Sequence, residues 1–480
     1  MSSSTGGHNP LSRKEHSGIR QIMIDSDNKN KRRCCCSNAT PATCKCTGIV
    51  EQLIAFAKQN PSVNDADVVM NILALHMQTS PAVAQVGCTA LWNMSSDDTV
   101  RAHIVRAGGI RLTVSIMNAY KQQRHQGKDK GGDDAAKIDW VLFMASGVLC
   151  NLTYEDKEVV EQQDSSHTGL DGVLTTAIEG GICQFVTNLM KREPGNIQIQ
   201  EKGCWMLWTI SHEAEGREAI CNSDACRDIL RAMGYHMDVT SLQEQAAGAL
   251  WNLSEDCELM LGTCEWVHSL LRAMRLHPDS AGVARHACGA LVHLADDFTP
   301  HHLHEYDGVK DVIQAMISFP YDTVLQEQAC AILAQMATWG DRDYRVAIND
   351  AYGIDAILSV ITQNLHAEVL YGGGVCIVHS ALSALLGVME GSRTNRSEQV
   401  AAKAAFVHAN GVYILSNIMV VCSRYVDVRN LVTTILRYFD ISAVSDSTRN
   451  LAGSIRVCRR RIKRMSYRDT EDADGRRRLQ

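Results

Sequence analysis

A short string recurs along this chain at a nearly constant spacing, and it limits the possible folds more than any other feature. It reads CTALWNM from residue 88, VLCNLTY from 148, MLWTISH from 206, GALWNLS from 248, GALVHLA from 289 and AILAQMA from 331. The residue after the Trp-like position serves as a marker and falls at Asn93, Asn151, Thr209, Asn252, His293 and Gln335. The last three steps are therefore 43, 41 and 42 residues. A methionine keeps the same time, with Met190, Met233, Met274 and Met316 each 19 residues ahead of its marker. Self-similarity with a period in the forties signals a stack of supersecondary units, none able to bury its apolar face alone. The predicted fold is an all-α solenoid.

Each copy carries a helical pattern as well as a signature. Leu91, Leu149, Leu207, Leu250, Leu291 and Leu333 form one column. Met94, Leu152, Ile210, Leu253, Leu294 and Met336 form another three residues on, so both lie on one buried stripe. Three residues ahead of each leucine stand Cys88, Ser146, Cys204, Ala247, Cys288 and Cys330, small side chains that let helices approach closely. This accounts for many of the 18 cysteines as core packing in place of alanine, without a disulfide or catalytic role.

These strings resemble the armadillo repeat family, whose unit has a short first helix, a glycine turn, a second helix and a long third helix ending in a sequence like ALWNLS. The glycine turns are AGGI at 107–110, EGGI at 179–182, YDGV at 306–309, AYGI at 351–354 and ANGV at 409–412. Glycine suits such a corner because it takes positive φ freely. The resemblance covers roughly residues 60–440. Weaker copies near Val388 and Tyr438 bring the array to about eight units, and a helix at 49–59 closes its N-terminal end. The resemblance implies a right-handed α-solenoid of armadillo repeats over 48–445, between disordered basic tails at 1–47, which is Cys-rich, and 446–480. Segments 121–137 and 155–172, which lengthen the first two steps to 58 residues, are predicted loops.

No 18-residue apolar run occurs and MSSSTGGHNP has no signal-peptide core, so the many cysteines point to a reducing compartment. A cytoplasmic protein is predicted, with peripheral membrane attachment or the nucleus as alternatives. Residues 1–48 hold 8 Lys/Arg against 3 Asp/Glu and residues 446–480 hold 11 against 5. With the whole chain at −7, the repeat region is left with about −18. Acidic residues such as Asp97, Asp98, Glu213 and Asp297 close the third helices, either as solvated loops or as a ridge that attracts basic protein segments. A surface of this sign disfavours nucleic acid.

The candidate chemistry is sparse. Cys34, Cys35 and Cys36, followed by Cys44 and Cys46 and preceded by Lys31, Arg32 and Arg33, suit palmitoylation beside a basic stretch, with peripheral contact to a membrane. The myristoyl half of such a signal is missing, because Ser2 stands where glycine is needed. A metal site lacks the second ligand pair, and an unmodified tail is the remaining alternative. His301, His302 and His304 read as a surface group, GGG at 372–374 as a relaxed turn, and no catalytic arrangement, metal site or cofactor motif is found.

In the armadillo family the third helices line a concave groove that holds an extended partner. The resemblance therefore implies Asn93, Asn151, Thr209, Asn252, His293 and Gln335 as the groove column, with asparagine amides pairing to a peptide backbone. The same amides can instead bond their own helix ends. Importin-α-type receptors add a Trp one turn ahead of the Asn. Here those positions are Thr89, Gly147, Trp205, Gly248, Gly289 and Ala331, so that ladder is missing. The implied function is a non-enzymatic scaffold or adaptor binding basic or extended protein segments. A nucleocytoplasmic transport adaptor and a palmitoylated organelle-membrane scaffold are the alternatives. The basic run Arg456–Arg464 is predicted to dock in the acidic groove of its own chain, released by phosphorylation of Ser466.

Overall fold

The computed structural model describes residues 45–58, 62–77, 80–126, 133–153, 173–254, 263–294, 299–338, 342–365, 375–391, 396–422 and 424–438. Residues 1–44 and 446–480 of the proposed tails, with Cys34, Cys35, Cys36 and Ser466, lie outside the described residues, as do 155–172 and 372–374, whereas residues 45–47, assigned to the disordered N-terminal tail, are helical. Among the described residues there are 23 helices and no strand. The chain divides into two compact units, Met1–Glu258 and Leu259–Gln480.

Unit 1 begins with α1 (Lys45–Lys58), α2 (Val63–His76) and α3 (Pro81–Met94). Three complete repeats follow: α4 (Asp98–Arg106), α5 (Gly109–Gln126) and α6 (Asp133–Thr153); α7 (Val173–Glu179), α8 (Ile182–Arg192) and α9 (Ile197–Ile210); α10 (Ala214–Cys221), α11 (Ala225–Tyr235) and α12 (Thr240–Ser254). Unit 2 opens on α13 (Thr263–Leu276) and α14 (Ala281–His293). Its complete repeats are α15 (Thr299–Glu305), α16 (Gly308–Ser318) and α17 (Thr323–Thr338); α18 (Arg342–Asp350), α19 (Gly353–Asn364) and α20 (Val375–Gly391); α21 (Arg396–His408), α22 (Gly411–Val421) and α23 (Val426–Arg437). Successive third helices pack on one another within each unit, α3 on α6 and α9 on α12, then α14 on α17, α17 on α20 and α20 on α23. The predicted loop at 121–137 is mostly helix, because α5 runs on to Gln126 and α6 starts at Asp133.

The two sequence columns form the core. All six column leucines, from Leu91 to Leu333, have no exposed surface, and Cys88, Cys204, Cys288 and Cys330 are at most 1% exposed. Burial pushes the Cys88 thiol up to about 12, and burial with the nearby Glu327 carboxylate does the same for Cys330, so both stay protonated and are poor nucleophiles.

Helix starts and inter-helix ties follow the same clock. Thirteen residues ahead of their markers, Ser80, Asn196, Ser280 and Asp322 each accept a hydrogen bond from the backbone N–H three residues on, capping a third helix. Four residues further along, Gln200, Gln243 and Gln326 each donate Nε2 to two carbonyls at the end of the preceding second helix. These are Met190 and Glu193 (2.8 and 3.0 Å), Met233 and His236 (3.0 and 3.0 Å), and Met316 and Phe319 (2.8 and 2.9 Å). Carbonyls left open at a helix C-terminus are thereby satisfied without water. Ion pairs link neighbouring repeats: buried Asp139 on α6 accepts from Arg124 of α5 and Arg192 of α8, both at 2.6 Å, and Arg285 of α14 pairs with Asp322 ahead of α17 at 2.5 Å.

Gly108 and Gly181 take the positive φ that the sequence assigns to the corner glycines, while the other corner glycines have a different task. In four corners the left-handed residue is one position earlier, at Gly108 (φ 85°), Asp307 (φ 56°), Tyr352 (φ 60°) and Asn410 (φ 58°). The glycine after it is needed for close approach: a Cβ on Gly109 would lie 2.3 Å from Ile104, on Gly353 2.5 Å from Ile348, and on Gly411 2.3 Å from Phe406. In the EGGI corner the last glycine, Gly181 at φ 94°, is itself the left-handed residue ahead of the second helix. Asn and Asp tolerate this conformation, whereas an aromatic residue does so at a cost of about 1–2 kcal/mol. Tyr352 is 72% exposed, so its ring recovers little of that. Tyr352→Gly is therefore expected to raise stability by about 0.5–1 kcal/mol after the extra chain entropy of glycine is subtracted. A urea midpoint that falls instead would show that the ring makes a stabilising contact.

Candidate functional site

The six marker residues are not equivalent in the structure. In unit 1, Asn151 is 6% exposed, and its Nδ2 donates to Trp92 O at 3.2 Å and to Ser95 Oγ at 2.9 Å. Asn252 repeats the arrangement one step along, donating Nδ2 to Ser211 Oγ at 3.0 Å. The acceptors are themselves anchored, Ser95 to Trp92 O and Ser211 to Trp208 O. In both cases the marker asparagine is a strut reaching back to the serine two residues past the preceding marker. Thr209 is 7% exposed and turns its hydroxyl to Trp205 O of its own helix. In unit 2, His293 is exposed and Gln335 half-buried.

Asn93 stands apart. It heads the series in unit 1, and among the described residues no serine stands at the matching position ahead of it. Its side chain makes no hydrogen bond, and its Oδ1 is buried without a partner. The adjacent Trp92 Nε1 is in the same condition. Trp92, 2% exposed, lies on Gly147, where a Cβ would come within 2.5 Å of the indole, and its ring centroid is 6.1 Å from Phe143 and 6.0 Å from Trp205. Trp208 lies over Gly248 in the same way, and a Cβ there would be 2.7 Å from its ring. Gly147 and Gly248, found where import receptors carry a Trp, are thus the seats of the previous repeat's Trp. The one Trp at such a position, Trp205, is 3% exposed and belongs to the core.

The histidine group gathers no metal site. His302 Nδ1 lies 3.6 Å from Glu305, His304 packs edge-on to Tyr344, and no group of three or more metal-binding side chains occurs among the described residues. No single described helix is long and apolar enough to cross a membrane.

No family model matches the sequence, and no curated protein does. Solved structures do match, 48 chains in all. One of them comes from a structure described as "A conserved phosphorylation switch controls the interaction between cadherin and beta-catenin in vitro and in vivo". It aligns with a TM-score of 0.50 at 12% identity, over 89% of this chain and 80% of that one. The fold is an armadillo-type α-solenoid.

Proposed function

We propose that this chain is a non-enzymatic scaffold or adaptor of the armadillo repeat family that binds extended segments of partner proteins along its third helices. Asn93 carries the reading. It is the one marker asparagine whose amide is not spent on the chain itself, and with Oδ1 buried its Nδ2 is left to donate to a backbone carbonyl of a peptide. The structural match, to a chain from a study of cadherin and beta-catenin interacting, supports a fold used for such binding. The negative balance of the repeat region, about −18, favours basic segments. Burial of Trp205 between Trp92 and the core speaks against an import receptor, which needs its tryptophans open to the groove. Thiols held protonated by burial offer no nucleophile, and they suit a cytoplasmic, reducing setting.

The full chain is to be probed with an array of 12-residue peptides, half of them rich in Lys and Arg. Basic peptides without helical propensity are expected to be enriched, and Asn93→Ala is expected to weaken them about fivefold while leaving Tm unchanged. Asn151→Ala, which removes a strut, is expected to lower Tm. No enrichment over acidic peptides, or equal binding by Asn93→Ala, would remove the basis of the proposal.

A further inference from the structure

The last repeat of unit 2 exposes several apolar side chains together on its second helix. On α22 the buried stripe is Gly411, Leu415 and Ile418, which leaves Tyr413 54%, Val420 49% and Val421 43% exposed on the far side, with Val426 of α23 at 61%. The methionine column fixes the register, since Met419 of α22 follows its corner glycine at the same distance as Met316 follows Gly308. Six residues ahead of the methionine, where α22 has Tyr413, α8 has Gln184, α11 has Arg227 and α16 has Lys310, all exposed. One residue after it, Val420 takes the place of Lys191 and Arg275, with Gly234 and the exposed Ile317 at the same position of α11 and α16. Other second helices expose a single large apolar side chain near this end, Tyr235 on α11, Leu276 on α13 and Ile317 on α16, whereas α22 adds Tyr413 seven residues ahead of Val420 on the same face, and apolar surface left in water forgoes roughly 25 cal/mol per Å² of burial.

The chain itself supplies a matching segment close by. Leu451, Ile455, Cys458, Ile462 and Met465 are spaced 4, 3, 4 and 3 residues apart, which gathers them on one narrow face of a helix. Arg456, Arg460, Lys463 and Arg464 fall on the remaining faces. Twelve residues, 439–450, separate this segment from α23, and they reach up to about 40 Å when extended. α23 has 12 residues and is about 18 Å long, and it packs against α22, so every point of the exposed face is within range.

We propose that residues 451–465 dock as an amphipathic helix on the outer face of α22 and the start of α23, closing the array and presenting their basic side outward. The site differs from the groove, and this docking does not depend on partner binding through Asn93. Tethering through a 12-residue linker gives a high local concentration, so a modest apolar contact suffices.

Hydrogen exchange of the full chain, read by mass spectrometry, is the test. Amides in 451–465 are expected to exchange at least about tenfold more slowly than in the isolated peptide, independently of protein concentration. The paired substitution Val420→Ser with Val421→Ser alters only exposed side chains, and it is expected to abolish that protection. Ile462→Ser is expected to speed exchange in α22. Exchange of 451–465 at the rate of the free peptide overturns the proposal, as does protection that survives the paired substitution. Protection that arises only when phosphatidylserine vesicles are added also overturns it, because the segment is then a membrane-surface helix. Protection that grows with concentration assigns the face to a second copy of the chain instead.

Discussion

Trp92→Ala is expected to cost about 3–5 kcal/mol, the range for removing a fully buried indole from a core that closes only in part. The side chain is 2% exposed and spans more than its own repeat. From α3 it crosses Gly147 of α6 and reaches Trp205 of α9, with Phe143 alongside. Its loss opens a cavity bordered by three third helices, and coupled repeats transmit such a loss to their nearest neighbours. Trp92→Phe provides the control. It keeps an aromatic ring between Phe143 and Trp205 and removes the unpartnered Nε1–H, whose burial is itself a cost of about 1–3 kcal/mol, so the net change should be far smaller. Urea unfolding of both variants separates the two terms. A Trp92→Ala midpoint close to the parent would mean that the indole does not hold these helices together.

The helical repeat and its core were legible because they rest on one residue type repeated at one position. Leucine two residues ahead of each marker and a small residue three before it have only one common explanation, and all of them are buried. The clamps were not legible. Glutamine occurs nine residues before the marker in only three of the six copies, and an isolated Gln reads as a surface residue until its carbonyl partners are seen. The N-caps were hidden for a related reason, since serine, asparagine and aspartate do one job at Ser80, Asn196 and Asp322 and leave no single-letter column. Tertiary approach also overrode a local rule: the repeated corner glycine is kept for contact with the residue five earlier, and the backbone strain sits on its neighbour.

The marker column shows where sequence reasoning about a site stops. An asparagine that recurs in a groove-lining register is chemically suited both to a peptide and to a neighbouring repeat, and periodicity is the same in either case. The deciding fact is the serine two residues past the previous marker. Ser95 and Ser211 stand ready for Asn151 and Asn252, and this pairing joins residues 56 and 41 positions apart. Once that partner is seen, Asn93 separates from the others because its Oδ1 is left without a partner and no described serine takes its amide.

Leu250→Ala tests the repeat's interior rather than its aromatic floor. Leu250 has no exposed surface and sits mid-way along α12, which packs closely on α9. Truncation removes three carbon atoms from a region where helices already meet through small residues, with Ala247 on one side and Gly248 beneath Trp208 on the other. Side chains that seat on glycine cannot move inward to fill a void, so the cost is expected at about 2–5 kcal/mol, with the larger values for a cavity that stays open. Because each repeat leans mainly on its neighbours, amides of α9 and α12 should exchange faster before global unfolding begins. Leu75 is the internal comparison: it is 76% exposed on α2, and Leu75→Ala should change stability by no more than about 0.5 kcal/mol. Equal effects of the two substitutions would show that the leucine column does not carry the packing energy of the repeat, and that the stack is held instead by its clamps and ion pairs.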